Sequence, residues 1–206
     1  MTLKALYLNT SLKHGDEQSN TEALMRKSME ILKNEGVETE FLRVSDYNIK
    51  AGMSPDMGNR DQWPMIFDKI IGSDIIIMGT PVWNGQKSSI ASLVMERIYA
   101  QSSETAENGQ SKYYNKVFGA IATGNEDGAK EAGASILSRM ANIGFTIPPN
   151  TLAYWVGDAG PGPSYIEAGQ DNEFTKKQTK MLSYNLVHMA RILKNNPIPA
   201  VGNTLK

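Results

Sequence analysis

The chain has 206 residues, 21 basic against 22 acidic, and a formal net charge of -1, which bounds it to one domain or at most two small ones and speaks against a nucleic-acid or anionic-membrane footprint. It holds no cysteine, which excludes thiolate-held iron–sulfur clusters, Cys-ligated zinc, catalytic thiols and redox dithiols and leaves the chemistry to oxygen and nitrogen groups or a borrowed cofactor. No stretch reaches the roughly 20 apolar residues of a membrane span, and Met1 to Thr10 lacks the basic and apolar regions of a leader, so the sequence reads as cytoplasmic with a small-molecule partner.

In chain order, the apolar run Leu3 to Leu8 predicts a first strand, and Asn20 to Asn34 has a helical period. Between them lies a hydroxyl-rich loop with Ser11, Ser19, Asn20 and Thr21. Hydroxyls and free N–H groups at a helix N-terminus make an anion site, yet Ser19-Asn20-Thr21-Glu22 equally fits a capping box that needs no ligand. His14 in this loop would favour an anion if charged, or is simply solvated. Neither Gly-x-Gly-x-x-Gly nor a Gly-Lys-Ser/Thr P-loop is present, which disfavours dinucleotide and NTP sites.

A second strand is predicted over Val37 to Val44, followed by an irregular stretch from Asn48 to Asn59 and a helix over Asp61 to Ile71. The third strand, Asp74 to Met78, contains Ile75-Ile76-Ile77-Met78, apolar on both faces as a central parallel strand requires. Its following loop carries Pro81, Val82, Trp83, Asn84 and Gly85, either a wall on which a flat ring can lie or an ordinary turn with Trp83 plugging the core. A helix over Ser88 to Ala100 leads to a second irregular stretch, Gln101 to Asn115. Long loops of this kind cover a site, meet another subunit or form mobile surface.

The fourth strand, Val117 to Ala122, opens into Thr123, Gly124, Asn125 and Glu126, a small-residue loop that either faces a ligand or caps the next helix through Asn125 or Asp127. That helix spans Gly128 to Ile143, and a fifth strand spans Thr151 to Val156. Trp155, Gly157, Asp158 and Gly160-Pro161-Gly162-Pro163 then form either part of a substrate cover or a rigid surface turn. The last helix, Asn172 to Lys194, carries the stripe Leu182, Leu186, Met189 and Leu193, among which His188 reads as structural. Residues 1–196 thus make one wound unit, and the tail from Pro197 is expected to be extended or disordered unless an oligomer ties it down.

Strands alternating with helices predict an α/β fold with a doubly wound parallel sheet and helices on both faces. Ligands of such sheets bind beyond the carboxyl ends of the strands, where strand order reverses. Three unusual loops fall there: hydroxyl-rich, aromatic with proline, and glycine-rich. The set resembles the flavodoxin-like FMN proteins, and more closely the NAD(P)H-dependent FMN reductase and quinone reductase families; Asp61-Gln62-Trp63-Pro64 also looks like this group, with no chemical role assigned.

The resemblance implies a five-stranded sheet of order 2-1-3-4-5 with FMN at the switch point between strands one and three. It implies that Ser11, Ser19, Asn20 and Thr21 hold the phosphate, that Pro81, Val82, Trp83, Asn84 and Gly85 flank the isoalloxazine, and that Thr123, Gly124, Asn125 and Glu126 reach its pyrimidine edge. The family's short Gly-Ser-Pro-Arg loop is here Asn9-Thr10-Ser11-Leu12-Lys13, with an insertion through Gln18 that brings Asp16 and Glu17. Two carboxylates beside a dianion are unfavourable unless they face solvent. The implied activity is an FMN-dependent oxidoreductase taking hydride from NAD(P)H and reducing a quinone, flavin or similar small acceptor, with no catalytic side chain and no metal ligand assigned. The alternatives are a flavodoxin-type electron carrier, to which a net charge of -1 gives little steering field, and a FMN-free interaction module. Relatives of this kind finish their acceptor pocket with a neighbouring subunit, so a homodimer or higher oligomer is expected.

Overall fold

A computed structural model describes residues 2–205. Five parallel strands, β1 (Lys4–Asn9), β2 (Glu38–Arg43), β3 (Ile75–Trp83), β5 (Val117–Gly124) and β6 (Leu152–Val156), form the order β2-β1-β3-β5-β6, and a two-residue strand β4 (Gln86–Lys87) pairs antiparallel with the end of β3. With the hairpin strand set aside, this is the expected flavodoxin-like order. Helices α1 (Asn20–Asn34), α2 (Trp63–Ile71), α3 (Ser89–Ala100), α4 (Ala129–Asn142) and α5 (Glu173–Asn195) cover the two faces.

Strand periodicity divides the core into two layers. Ala5, Tyr7, Ile75 and Ile77 meet α1 and α5 through Leu24, Met25, Leu182 and Leu186. Their neighbours Leu6, Leu8, Ile76 and Met78 meet α2, α3 and α4 through Ile66, Ile70, Val94, Ile98, Ile136 and Met140. Because both faces are buried, β1 and β3 read as continuous apolar runs. At Gly79 a Cβ would lie 2.1 Å from Met25 Sδ and 2.9 Å from Thr21 Cγ2, so the missing side chain lets α1 press its first two turns onto the middle of β3.

The third strand runs further than the apolar run predicts. It continues through Gly79, Thr80, Pro81 and Val82 to Trp83, where Asn84 (φ 47°) and Gly85 (φ 75°) turn the chain back into β4. Positive φ at both central residues is what a two-residue hairpin of matching twist needs, and Asn-Gly is the dipeptide that adopts it most readily.

Neither irregular stretch contributes to the cleft at the carboxyl ends of β1, β3 and β5. Residues 48–61 fold around the buried Arg97, and residues 101–115 lie at the opposite end of the sheet, beside the start of β5. The tail, expected to be extended or disordered, has no helix or strand but is held by that second loop. The Gln110 amide donates to Ile198 O (3.2 Å), Pro199 O (3.1 Å) and Asn203 Oδ1 (2.9 Å), and Leu205 N donates to Gly109 O (3.0 Å). Ile198 packs on the α1–α5 layer. His188, read as structural, is exposed beside Tyr184.

Candidate functional site

A cleft of about 560 Å³ opens at the carboxyl ends of β1, β3 and β5. Ser11, Ser19, Asn20, Thr21, Pro81, Val82, Trp83, Thr123, Gly124 and Asn125 line it, together with Leu12, Lys13, Glu17, Gln18 and Trp155. Three chain segments far apart in sequence therefore converge where the topology reverses.

The first loop is shaped by side chains that are not themselves part of the cleft lining. Asn9 Oδ1 accepts from Ser11 N (3.1 Å) and Asn9 Nδ2 donates to Ser19 Oγ (3.4 Å); Thr10 Oγ1 donates to Gly79 O (2.7 Å), and Ser88 Oγ donates to Thr10 O (2.6 Å) while accepting from Ala91 N to cap α3. Ser19 is the N-cap of α1, accepting from Glu22 N at 3.1 Å. The capping reading therefore holds for Ser19, but the box is half made, because the Glu22 carboxylate accepts from Arg26 (2.9 Å) and Arg43 (2.6 Å). Burial works to raise the Glu22 pKa, and the two guanidiniums outweigh it, so the carboxyl sits below its ordinary range.

The hydroxyls of this end are spent unevenly. Thr21 Oγ1 and Thr123 Oγ1 bond each other at 2.8 Å, tying α1 to β5. Asn20 Oδ1 accepts from Ile166 N (2.9 Å). Ser11 Oγ is buried and has no partner among the described residues. An unmet buried hydroxyl costs about 1–3 kcal/mol, and its position in the cleft wall marks where a ligand atom would relieve that cost.

The insertion from Lys13 to Gln18 is a fixed turn. Arg43 donates to Glu17 O (2.8 Å), Asp46 accepts from Gly15 N (2.8 Å), and Ser45 Oγ donates to Lys13 O. Asp16 is exposed outside the lining, whereas Glu17 lines the cleft. The Glu17 carboxylate accepts from His14 N (2.8 Å) and stands 3.7 Å from Lys13 Nζ. The His14 N–H is the main reason its pKa lies below the ordinary carboxylate range.

Trp83, at the end of β3, is 56% exposed, and Leu12, next to Lys13, is 43% exposed. Trp83 is a rim residue and not a core plug. Asn84, Gly85 and Glu126 are absent from the lining and instead brace it: Glu126 Oε1 accepts from Asn84 N at 2.6 Å. A Cβ at Gly128 (φ 115°) would lie 2.4 Å from Gly85 O, so only glycine lets the two loops touch. Gly128 is also the N-cap of α4 and supplies no side-chain bond, so neither Asn125 nor Asp127 caps that helix. The Asn125 amide donates to Gly162 O (2.8 Å) and Pro163 O (2.9 Å), and Gly157 N donates to Gly124 O (2.9 Å), which fastens the Gly/Pro loop beside the cleft. Trp155 lines the cleft with its indole edge-on to Tyr165, centroids 5.8 Å apart.

Lys13 is a lining residue that sequence reasoning passed over, although it occupies the end of the short loop where the family carries its arginine. Among the described residues no group of three or more His, Asp or Glu is placed to hold a metal ion, and no helix is long and apolar enough to cross a membrane.

Residues 3–158 match the family model for NADPH-dependent FMN reductase. The chain is similar to 8-demethyl-8-aminoriboflavin-5'-phosphate synthase of Streptomyces davaonensis, 35% identical over 96% of this chain and 80% of that protein. It is also similar to the divalent metal cation transporter MntH of Mycobacterium bovis, 39% identical over 93% of this chain, but spans only 29% of that protein's length. The crystal structure of RosB with bound 8-demethyl-8-formylriboflavin-5'-phosphate superposes with a TM-score of 0.89 at 34% identity, covering 96% of this chain and 82% of that one.

Proposed function

The chain belongs to the NADPH-dependent FMN reductase family, a family of flavodoxin-like flavoprotein oxidoreductases, and on that premise we propose that its cleft binds FMN and that the protein oxidises NAD(P)H to reduce a small planar acceptor such as a quinone or free flavin. The observation that carries this reading is the Ser11 hydroxyl, buried without a partner among the described residues, in the wall of a cleft that also holds the first turn of α1. Ser11 Oγ and the free N–H groups at the α1 N-terminus are the donors a phosphate needs, and Lys13 adds a charge.

Pro81, Val82 and Trp83 supply an apolar wall for a ring, and Thr123, Gly124 and the Asn125 side-chain carbonyl supply polar groups along its edge. Asn84, Gly85 and Glu126 act one step back, holding those two loops together. Bound there, FMN would supply the hydride acceptance and return that no side chain in this cleft provides. The residues bind and orient, and Trp83 with Leu12 leaves an apolar rim over which a second planar molecule can lie. That open rim also supports a homodimer, in which a second copy finishes the acceptor side.

Absorbance of the purified protein, with and without added FMN, tests the reading. Flavin bands that co-purify, or fluorescence quenching on titration with FMN, are expected; a colourless preparation that ignores FMN overturns it. Anaerobic mixing with NADPH and then NADH is expected to bleach the flavin without a partner reductase, whereas no bleaching with either favours the electron carrier. A second reading is favoured by the 35% identity to a flavin phosphate synthase over nearly the whole chain: a flavin phosphate in the same cleft as substrate. Mass spectrometry of the flavin after turnover separates the two, since the reductase returns FMN of unchanged mass.

A further inference from the structure

Among the described residues the cleft lining holds one acid, Glu17, and one base, Lys13, and they lie 3.7 Å apart. The turn that carries the acid is pinned. The Glu17 carbonyl accepts from Arg43, its carboxylate accepts from His14 N, and the turn is fixed at Gly15 by Asp46 and at Lys13 by Ser45. A carboxylate held by His14 N on a turn whose backbone is pinned at three points, in a residue that lines a cleft whose other donors suit an anion, opposes that anion. It also occupies the ammonium group that would otherwise answer it.

We propose that Glu17 is a built-in counter-charge that selectively weakens binding of a phosphate dianion, so that a flavin phosphate is held as an exchangeable ligand and not as a permanent group. The inference rests on the reading of the cleft as a flavin phosphate site. Its physical basis is that Glu17 repels the dianion and draws off part of the Lys13 charge, both of which scale with ligand charge and are absent for a neutral flavin. The pair is about half exposed, so the effect is moderate and sensitive to salt.

The test is Glu17→Gln, which removes the charge and keeps an oxygen to accept from His14 N. Dissociation constants for FMN and for riboflavin are measured by flavin fluorescence at low salt, alongside Asp16→Asn, which makes the same change in net charge outside the lining. Glu17→Gln is expected to tighten FMN about three- to tenfold, slow its release in a stopped-flow displacement, and leave riboflavin within about twofold; the gain should vanish near 1 M salt, where the Debye length is about 3 Å. Asp16→Asn is expected to give a smaller change. Unchanged or weaker FMN binding, or an equal gain for riboflavin, overturns the role of Glu17 while leaving the flavin site intact. Wild-type protein that binds neither flavin overturns both.

Discussion

The Ser11 hydroxyl separates binding from stability more cleanly than any other atom of the cleft. Removing an unpartnered buried hydroxyl removes an unmet desolvation cost, so Ser11→Ala is expected to leave the unfolding free energy unchanged or to raise it by up to about 1 kcal/mol. A hydrogen bond to a charged oxygen contributes about 1.5–3 kcal/mol, so the same substitution should weaken FMN by about tenfold or more. Urea melts and flavin titration of the same preparation check both, and a destabilised variant would show that Ser11 is already satisfied within the fold. Trp83→Ala belongs beside it. With the indole more than half exposed, stability should move by less than about 1 kcal/mol while FMN retention falls, and unchanged affinity would remove Trp83 from the ring wall. The sequence singled out both by their loops, Ser11 in the hydroxyl-rich stretch after the first strand and Trp83 after Gly79-Thr80-Pro81-Val82, and the fold brings both loops to one cleft. The bracing role of Asn84 and Glu126 was not legible, since a bond between residues 42 apart leaves no local pattern.

At the scale of elements, the excursion between β2 and α2 is held by one buried ion pair. Arg97 and Asp61 have fully buried side chains and meet at 2.9 Å. The guanidinium also donates to the carbonyls of Lys50, Ser54 and Pro55, while the Asp61 carboxylate accepts from the N–H groups of Lys50, Met57 and Trp63. Burial acts to raise the Asp61 pKa, but those donors overcome it and hold the carboxyl below its ordinary range. Arg97→Met strands a buried carboxylate and should cost about 3–5 kcal/mol. Hydrogen exchange is expected to show protection lost first in residues 48–61, and loss spread evenly over the sheet would mean that the pair supports the whole core instead. The sequence drew attention to Asp61-Gln62-Trp63-Pro64 without a chemical role, and the structure gives it this anchoring one. Nothing near Asp61 in the chain points to an arginine on another helix. By contrast, the five parallel strands and the five long helices were visible as apolar runs or helical periods, which is local information. The hairpin end of β3 was signalled by Asn84-Gly85 but hidden because Gly and Pro in a strand read as loop.

For the whole molecule, the alternation of strands and helices made the doubly wound class legible, while the sheet order came from the family resemblance; the tail's path was not legible, since its anchors, Gly109, Gln110 and Asn115, lie in a loop more than 80 residues away. Global electrostatics makes a prediction that no single element does. Lys116 Nζ, half-buried, donates to Ile71 O and Ser73 O (2.9 Å), and burial pushes its pKa down to about 8 from 10.5, against the pull of Asp74. The unfolded chain therefore binds a proton more tightly than the folded one between those values, and unfolding free energy must rise with pH across that window. Tyr7 and Tyr113 work oppositely: burial raises both, so above about pH 10 the unfolded tyrosines ionise first and stability falls. On the acid side Glu22, Asp61 and Glu104 have lowered pKa values, and the stability they contribute above the ordinary carboxylate range is lost as pH falls through their folded values. Stability is thus expected to peak at about pH 9–10. Lys116→Met isolates the alkaline limb: relative to this variant, the wild type should gain on the order of 1–2 kcal/mol between pH 7 and 10, discounted for the half-exposed stem. Urea midpoints for both proteins at four pH values measure the difference, and a flat difference would mean that water reaches the Lys116 ammonium in the folded state.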